Sequence, residues 1–346
     1  MDTKINPVRT LLFSLLYFWA TLLPLGIYSQ SSQSLFDIIY EADSVDVTIE
    51  TNFKSLLKKK DEYQDAKILI KSPGLVLLDT MGEVRTRGNA RKAICYMPPT
   101  KLRVSKKHLE NKGLSTYPTL KVVNSCSFSD LAESYLRLEH FIYEVYNVLT
   151  ERSFRSKFLN LRYIDSEGKK NPVEFEGFLI EHEDQMAARM NGEIFSPSFF
   201  KPELLERESY LLFCMFQYMI GNTDWKVLNK HNLEIIKVSE ERKLYPVAYD
   251  FDYSGVVHTS YAVPNERTPL KNVTERFYLG PCQTDDEITT MQRLFSDKKQ
   301  AIMSLVTTCL KDEKQQKVCG NYIQQFYDII EDDKWSKQVF SNCIDY

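Results

Sequence analysis

Apolar and polar positions follow two different rhythms along this chain. From about residue 45 to residue 123, short β-rich runs at 66–70, 75–78 and 102–104 are separated by Gly, Pro and Asn, a pattern that predicts a small sheet. Over 130–149 the rhythm changes: Leu131, Tyr135, Leu138, Ile142, Val145 and Leu149 recur at three- and four-residue steps. That spacing predicts an amphipathic helix, with Ser129 or Asp130 placed to cap it. Segments 158–164 and 173–180 read as strands, and the turn formers Asp165, Ser166, Glu167 and Gly168 between them predict a hairpin. Beyond it the pattern is mainly helical. Residues 202–220 predict a long core helix stopped at Gly221. Residues 233–238 and 244–249 predict two short strands, and 291–308 and 319–330 two closing helices. Sheet-rich first and helix-rich second predicts an α+β fold of two lobes, about 45–181 and 182–346. With no internal repeat and no low-complexity linker, 31–346 reads as a single domain.

Composition sharpens this picture in three places. At 346 residues and 43% hydrophobic, the chain has material for a sizeable core. A formal net charge of -3, with no basic stripe interleaved with aromatics, argues against nucleic acid as a partner. The Lys58–Lys59–Lys60 run reads as a solvated helix face. At the start, Lys4 and Arg9 precede an apolar run from Leu11 to about Ile27, followed by Ser29, Gln30, Ser31 and Ser32. That order predicts a cleaved export signal over 1–30. A retained anchor helix is the alternative, but the run is short for one and is interrupted by Thr21 and Pro24. The expectation is therefore a periplasmic or extracellular envelope protein with no stable membrane span after cleavage.

Export would permit disulfides among the seven cysteines. Cys95 and Cys126 flank a strand-like stretch, and Cys282, Cys309, Cys319 and Cys343 lie in the last quarter. Spacing alone leaves their connectivity open. Cys214, inside the apolar run 211–220, reads as a buried thiol. No CxxC or CxxH pattern proposes zinc.

The candidate chemistry lies in Gly221–Asn222–Thr223–Asp224–Trp225, then His231–Asn232, then Tyr249–Asp250–Phe251–Asp252. A carboxylate just past a helix end, an amide a short loop later and two carboxylates after the next strand pair can converge on one point. Such oxygen ligands suit Mg²⁺ or Mn²⁺. In that geometry Asp224 would orient or deprotonate an acceptor hydroxyl, with Asn232 and Asp250 holding a metal that neutralises a phosphoryl group. Asp252 would be a further ligand or a supporting group. Each motif taken singly also suits capping and turn roles, but a capping account needs three coincidences. His231, with no second histidine at a useful spacing, reads as structural. The 20 Tyr, 20 Phe and 3 Trp read mostly as core, with Trp225 the one aromatic placed to serve a sugar.

The succession GNTDW, HN and PVAYDFDYSG resembles the catalytic half of the CotH-type spore-coat kinases and, more distantly, the HipA-type kinases, both protein-kinase-like folds. Residues Arg85, Thr86, Arg87, Gly88, Asn89 and Arg91, followed by Pro98, Pro99, Thr100, Lys101, Leu102 and Arg103, are similar to the CotH family's RGN motif and the basic strand after it. Phe178–Leu179–Ile180–Glu181 resembles that family's strand ending in glutamate between the lobes. The resemblance covers about residues 80–260. It implies an ATP- and Mg²⁺- or Mn²⁺-dependent phosphotransferase acting on a protein or envelope component. Asp224 would be the catalytic aspartate, and Asn232 and Asp250 the metal ligands. Arg87 with Lys101 or Arg103 would contact phosphate, with Lys121 competing for that role. Glu181 would be a nucleotide-side hinge residue or a plain strand-end carboxylate. The alternative is a catalytically silent kinase-like module that binds an envelope partner through the same cleft.

Overall fold

The computed structural model describes residues 33–88 and 90–341; the predicted signal over 1–30 and Cys343 lie outside them. In chain order the first half contains α1 (Leu35–Glu41), β1 (Asp46–Thr51), α2 (Phe53–Lys58), β2 (Gln64–Ser72), β3 (Leu75–Thr86), α3 (Ala90–Ile94), β4 (Thr100–Arg103), α4 (Lys106–Asn111), β5 (Thr119–Asn124), α5 (Asp130–Leu149), β6 (Ser156–Asp165) and β7 (Val173–Ile180). The second half contains α6 (Glu183–Arg189), β8 (Glu193–Ile194), α7 (Arg207–Met219), β9 (Leu233–Val238), β10 (Lys243–Ala248), α8 (Asp285–Cys309), α9 (Glu313–Ile330) and α10 (Asp333–Phe340). The fold is mixed α+β.

The small sheet read from the sequence over 45–123 is part of a larger one: seven strands close into a barrel in the order β1-β2-β3-β4-β5-β7-β6. The predicted hairpin forms as β6–β7, with Leu161 opposite Phe175. The barrel then closes through a parallel pairing of β1 with β6, Asp46 beside Asn160. Two-residue alternation sends Ile49, Ile68, Ile70, Leu102, Val122, Leu161 and Tyr163 inward, where they form one hydrophobic cluster. Each fully buried side chain of this kind contributes roughly 1.5–3 kcal/mol. Lys101 on β4, Lys121 and Val123 on β5, and Phe178 and Ile180 on β7 alternate with inward-facing positions, and so lie on the outer face.

A second cluster forms where α5, α7, α8 and α9 pack around β9 and β10. Helix α5 begins at Ser129, whose hydroxyl accepts from the Ala132 N–H, as the sequence predicted. Leu131 stands 56% exposed, so the buried stripe is shifted to Leu138, Phe141, Ile142, Tyr143, Val145, Tyr146 and Leu149. The predicted long helix over 202–220 begins as a short 3-10 turn, Pro202–Leu204, before α7 proper. Strand β10 tolerates Pro246 because it is an outer strand of the sheet β10-β9-β8. No helix among the described residues is long and apolar enough to cross a membrane.

Candidate functional site

Helix α7 ends at Gly221, whose φ of +65° and whose closeness to the Tyr322 hydroxyl, 2.1 Å from where a Cβ would stand, both demand glycine. The chain then turns into a loop shaped by buried amides. The Asn222 side chain donates to Gln217 Oε1 at 2.9 Å and accepts from the Asp224 N–H at 2.9 Å. The Asn222 backbone carbonyl accepts from the Trp225 indole N–H at 3.2 Å. Trp225 is buried edge-on to Phe213, which makes it core and leaves no sugar platform there. Lys226 and His231 exchange two backbone hydrogen bonds that pinch the loop shut, bringing Asn232 back to Asp224. The Asn232 amide donates to the Asp224 carbonyl at 2.7 Å and to Asp224 Oδ2 at 3.0 Å. His231 Nε2 lies 3.0 Å from Asp224 Oδ1, so the histidine read as merely structural touches the central carboxylate.

Strand β10 delivers the second half. Both Asn232 (φ 56°) and Asp250 (φ 62°) adopt left-handed backbone, uncommon for residues other than glycine and frequent at functional turns. The Asp250 N–H donates to the Tyr143 hydroxyl at 3.1 Å, tying the turn to α5. Among the described residues the Asp250 carboxylate accepts no hydrogen bond. Burial and the neighbouring Asp252 carboxylate push it up to about 6, while Arg91 and Arg87 pull the other way. Asp252 is buried, and its Oδ2 accepts from Arg91 Nε at 3.2 Å and from the Tyr261 hydroxyl at 2.9 Å.

These groups share one cleft of about 300 Å³, lined by Arg87, Asp224, His231, Asn232, Asp250 and Asp252 together with Arg91, Glu139, Tyr143, Val123 and Ile180. These residues come from six separate stretches of sequence, 87–91, 123, 139–143, 180, 224–232 and 250–252, which therefore meet there. Two of the lining residues, Arg91 and Glu139, carry no role in the sequence reading. Glu139 interrupts the apolar stripe of α5 and is only 2% exposed. A lone carboxylate within a buried stripe is the signal that could have found it.

The basic candidates separate. Arg87 lines the cleft, and its guanidinium has no hydrogen-bonded or ion-paired partner among the described residues. Lys101 and Lys121 sit directly opposite each other on β4 and β5, on the face that also presents Val123 to the cleft, but neither lines it. Lys121 is paired with Glu183 at 2.8 Å, whereas Lys101 has no such partner among the described residues. Arg103 is elsewhere: it forks onto Glu83 at 2.5 and 2.7 Å and stacks over Tyr63 at 3.9 Å. Glu181 is also committed. Fully buried, it receives Arg155 at 2.7 Å and Arg189 at 3.0 Å, so the strand-end carboxylate is a structural anchor whose side chain does not reach the cleft.

Among the described residues no three His, Cys, Asp or Glu side chains are grouped to cage a metal by themselves. The donors that do converge, Asp250 and Asp252 with the Asn232 amide, are hard oxygen groups with excess negative charge. They fit an ion such as Mg²⁺, which takes one or two carboxylates and fills its remaining positions with phosphate oxygens and water. The unsatisfied Asp250 carboxylate and the unpaired Arg87 guanidinium would face the cation and the anion of such a complex. Comparison of the chain with protein-family models and with curated proteins finds no match to either.

Proposed function

We propose that this protein is an exported, two-lobed, kinase-like phosphotransferase that moves a phosphoryl group from Mg²⁺- or Mn²⁺-ATP to a hydroxyl on a protein or envelope component. The observation that carries the reading is the meeting of Asp224, Asn232, Asp250 and Arg87, from distant segments, in one cleft between the barrel and the helical core. Asp250 and Asn232 would hold the metal, which when bound supplies charge neutralisation at the phosphate oxygens. Arg87 would steady the phosphates, with Lys101 the reserve cation on the same barrel face. Asp224 takes the proton of the acceptor hydroxyl as its oxygen bonds to phosphorus. The bond to the leaving phosphate breaks, and that phosphate keeps the electron pair. His231 and Asn232, each on one oxygen of Asp224, fix the direction in which it accepts.

The same contacts support a second reading, in which the carboxylate is permanently tied and the cleft is a silent binding module. Thermal unfolding of the purified protein with Mg²⁺ or Mn²⁺, with and without ATP, separates them. A metal-dependent ATP shift in melting temperature that vanishes in Asp250→Ala supports the nucleotide site. No shift with any metal removes the phosphotransfer reading and leaves the module.

A further inference from the structure

Helix α3 has five residues and none is buried. Ile94 and the following Tyr96 stand 52% and 53% exposed, and the ring contact of this segment is that of Tyr96 with the equally exposed Phe128 at 5.1 Å, so little apolar surface fastens it to the core. What holds it is covalent and ionic. Cys95 is bonded to Cys126, in the loop just before α5, and the Tyr96 N–H donates to the Cys126 carbonyl at 2.9 Å. From this tethered helix Arg91 reaches inward. Its Nη2 lies 2.5 Å from Glu139 Oε2 on α5, and its Nε lies 3.2 Å from Asp252 Oδ2 and 3.1 Å from the Tyr261 hydroxyl. One guanidinium thus joins α5 to the segment carrying Asp250 and Asp252, and is the cation in contact with a group of buried carboxylates.

Resting on the phosphotransferase reading, we propose that Arg91 is a positioning residue for the carboxylates of the cleft, and that the Cys95–Cys126 disulfide holds it in place. The affinity for metal–nucleotide then depends on the redox state of that pair. With the disulfide formed, α3 is strapped to the start of the helix that bears Glu139, and the guanidinium is confined to its fork. Two-electron reduction by a dithiol breaks the S–S bond, gives the Cys95 and Cys126 thiols and oxidises the dithiol to its own disulfide. Helix α3 is then left with the ion pairs of Arg91 and Lys92, the hydrogen bonds Lys60 to the Lys92 carbonyl and Tyr96 to the Cys126 carbonyl, and the Tyr96–Phe128 ring contact, none of them covalent. When Arg91 departs, Glu139, Asp250 and Asp252 repel one another and the metal-binding turn loses its register.

Because Cys282 is also disulfide-bonded, a chemical reductant would act at two places; the Cys95→Ser/Cys126→Ser variant isolates the strap. Hydrogen exchange on the ligand-free protein should show 90–96 and 250–262 losing protection together in that variant. Opening of 90–96 with 250–262 unchanged would overturn the proposal. Calorimetric titration with Mn²⁺-ATP should then show about ten-fold weaker binding or more in the Cys variant and in Arg91→Ala, the scale of losing a charge-assisted hydrogen bond or two. Arg91→Lys should recover part of the loss, and combining Arg91→Ala with the Cys variant should add little. Wild-type affinity in folded Arg91→Lys and Arg91→Ala proteins would also overturn it. If the wild-type protein does not bind Mn²⁺-ATP, the phosphotransfer reading fails, and the exchange experiment alone decides whether the strap positions the turn.

Discussion

The loop that carries Asp224 is fixed from within: a glycine-terminated helix, a buried asparagine with three partners, and an indole packed into the core all set its path. Helix α3, which brings Ala90 and Arg91 to the same cleft, has no buried residue and is held by the adjoining disulfide and by the ion pairs of Arg91 and Lys92. The difference shows that one site can be assembled by two kinds of cohesion. Packing and internal hydrogen bonds last as long as the fold does. A covalent strap can be removed while the fold remains.

The comparison can be broken from either wall. Asp224→Asn should lower phosphotransfer by about 10²–10⁴-fold, the range of a lost general base, with the melting temperature little changed; initial rates beside a thermal melt check this. Glu181→Ala should leave the metal–ATP shift intact but cost about 3–5 kcal/mol in urea unfolding, because Arg155 and Arg189 would lose the buried carboxylate between them. A lost nucleotide shift in a protein of unchanged stability would return Glu181 to the hinge role. Asn222→Ala should cost about 1–3 kcal/mol by leaving buried groups around it unpaired, and should reduce activity as well, since Asp224 is aimed by that amide.

The smallest effect concerns Lys121 and Glu183. Burial alone would raise the Glu183 carboxyl, but the Lys121 ammonium beside it brings it down to about 2 from an ordinary 4.5. A folded-state value below the unfolded one adds stability that is complete above pH 4.5 and is lost as pH falls through 2. Melting curves of the wild type and Lys121→Met should therefore differ fully near pH 6, with the gap shrinking below pH 4.5 and closing as pH falls through about 2. A constant gap would mean that the lysine acts by packing alone.

Much of the segment that lines the cleft from Gly221 to Asp252 was legible in the sequence because its residue types and its local structure coincide. Gly221 ends a helix where a glycine should, and the turn after β10 holds two carboxylates that no strand pattern requires. The β6–β7 hairpin was legible for the same reason: its turn formers and alternation are adjacent in the chain. Barrel closure was not, since a parallel pairing of β1 with β6 leaves no local mark. Arg91 was hidden in a helix too short to show periodicity. Arg103 and Glu181 fitted a pattern, but partners distant in sequence took their charges. Lys101 and Arg103 occupy the same strand face, yet only a three-dimensional neighbour such as Glu83 shows that Arg103 is engaged away from the cleft.

The parallel seam that closes the barrel also constrains how the molecule is made. Asp46 and Asn160 meet across a separation of 114 residues, so β1 leaves the ribosome long before its partner exists. Until β6 arrives, β1 has an unpaired edge, and the pairing that caps it is the least local strand pairing among the described residues, a property that slows folding and prolongs exposure to aggregation. Helix α5, with Glu139, lies in the stretch that must emerge first. Glu139 and Tyr143 are therefore present as nascent chain before the barrel can shut, whereas the Asp224–Asp252 side of the cleft is made only after the last strand of the seam.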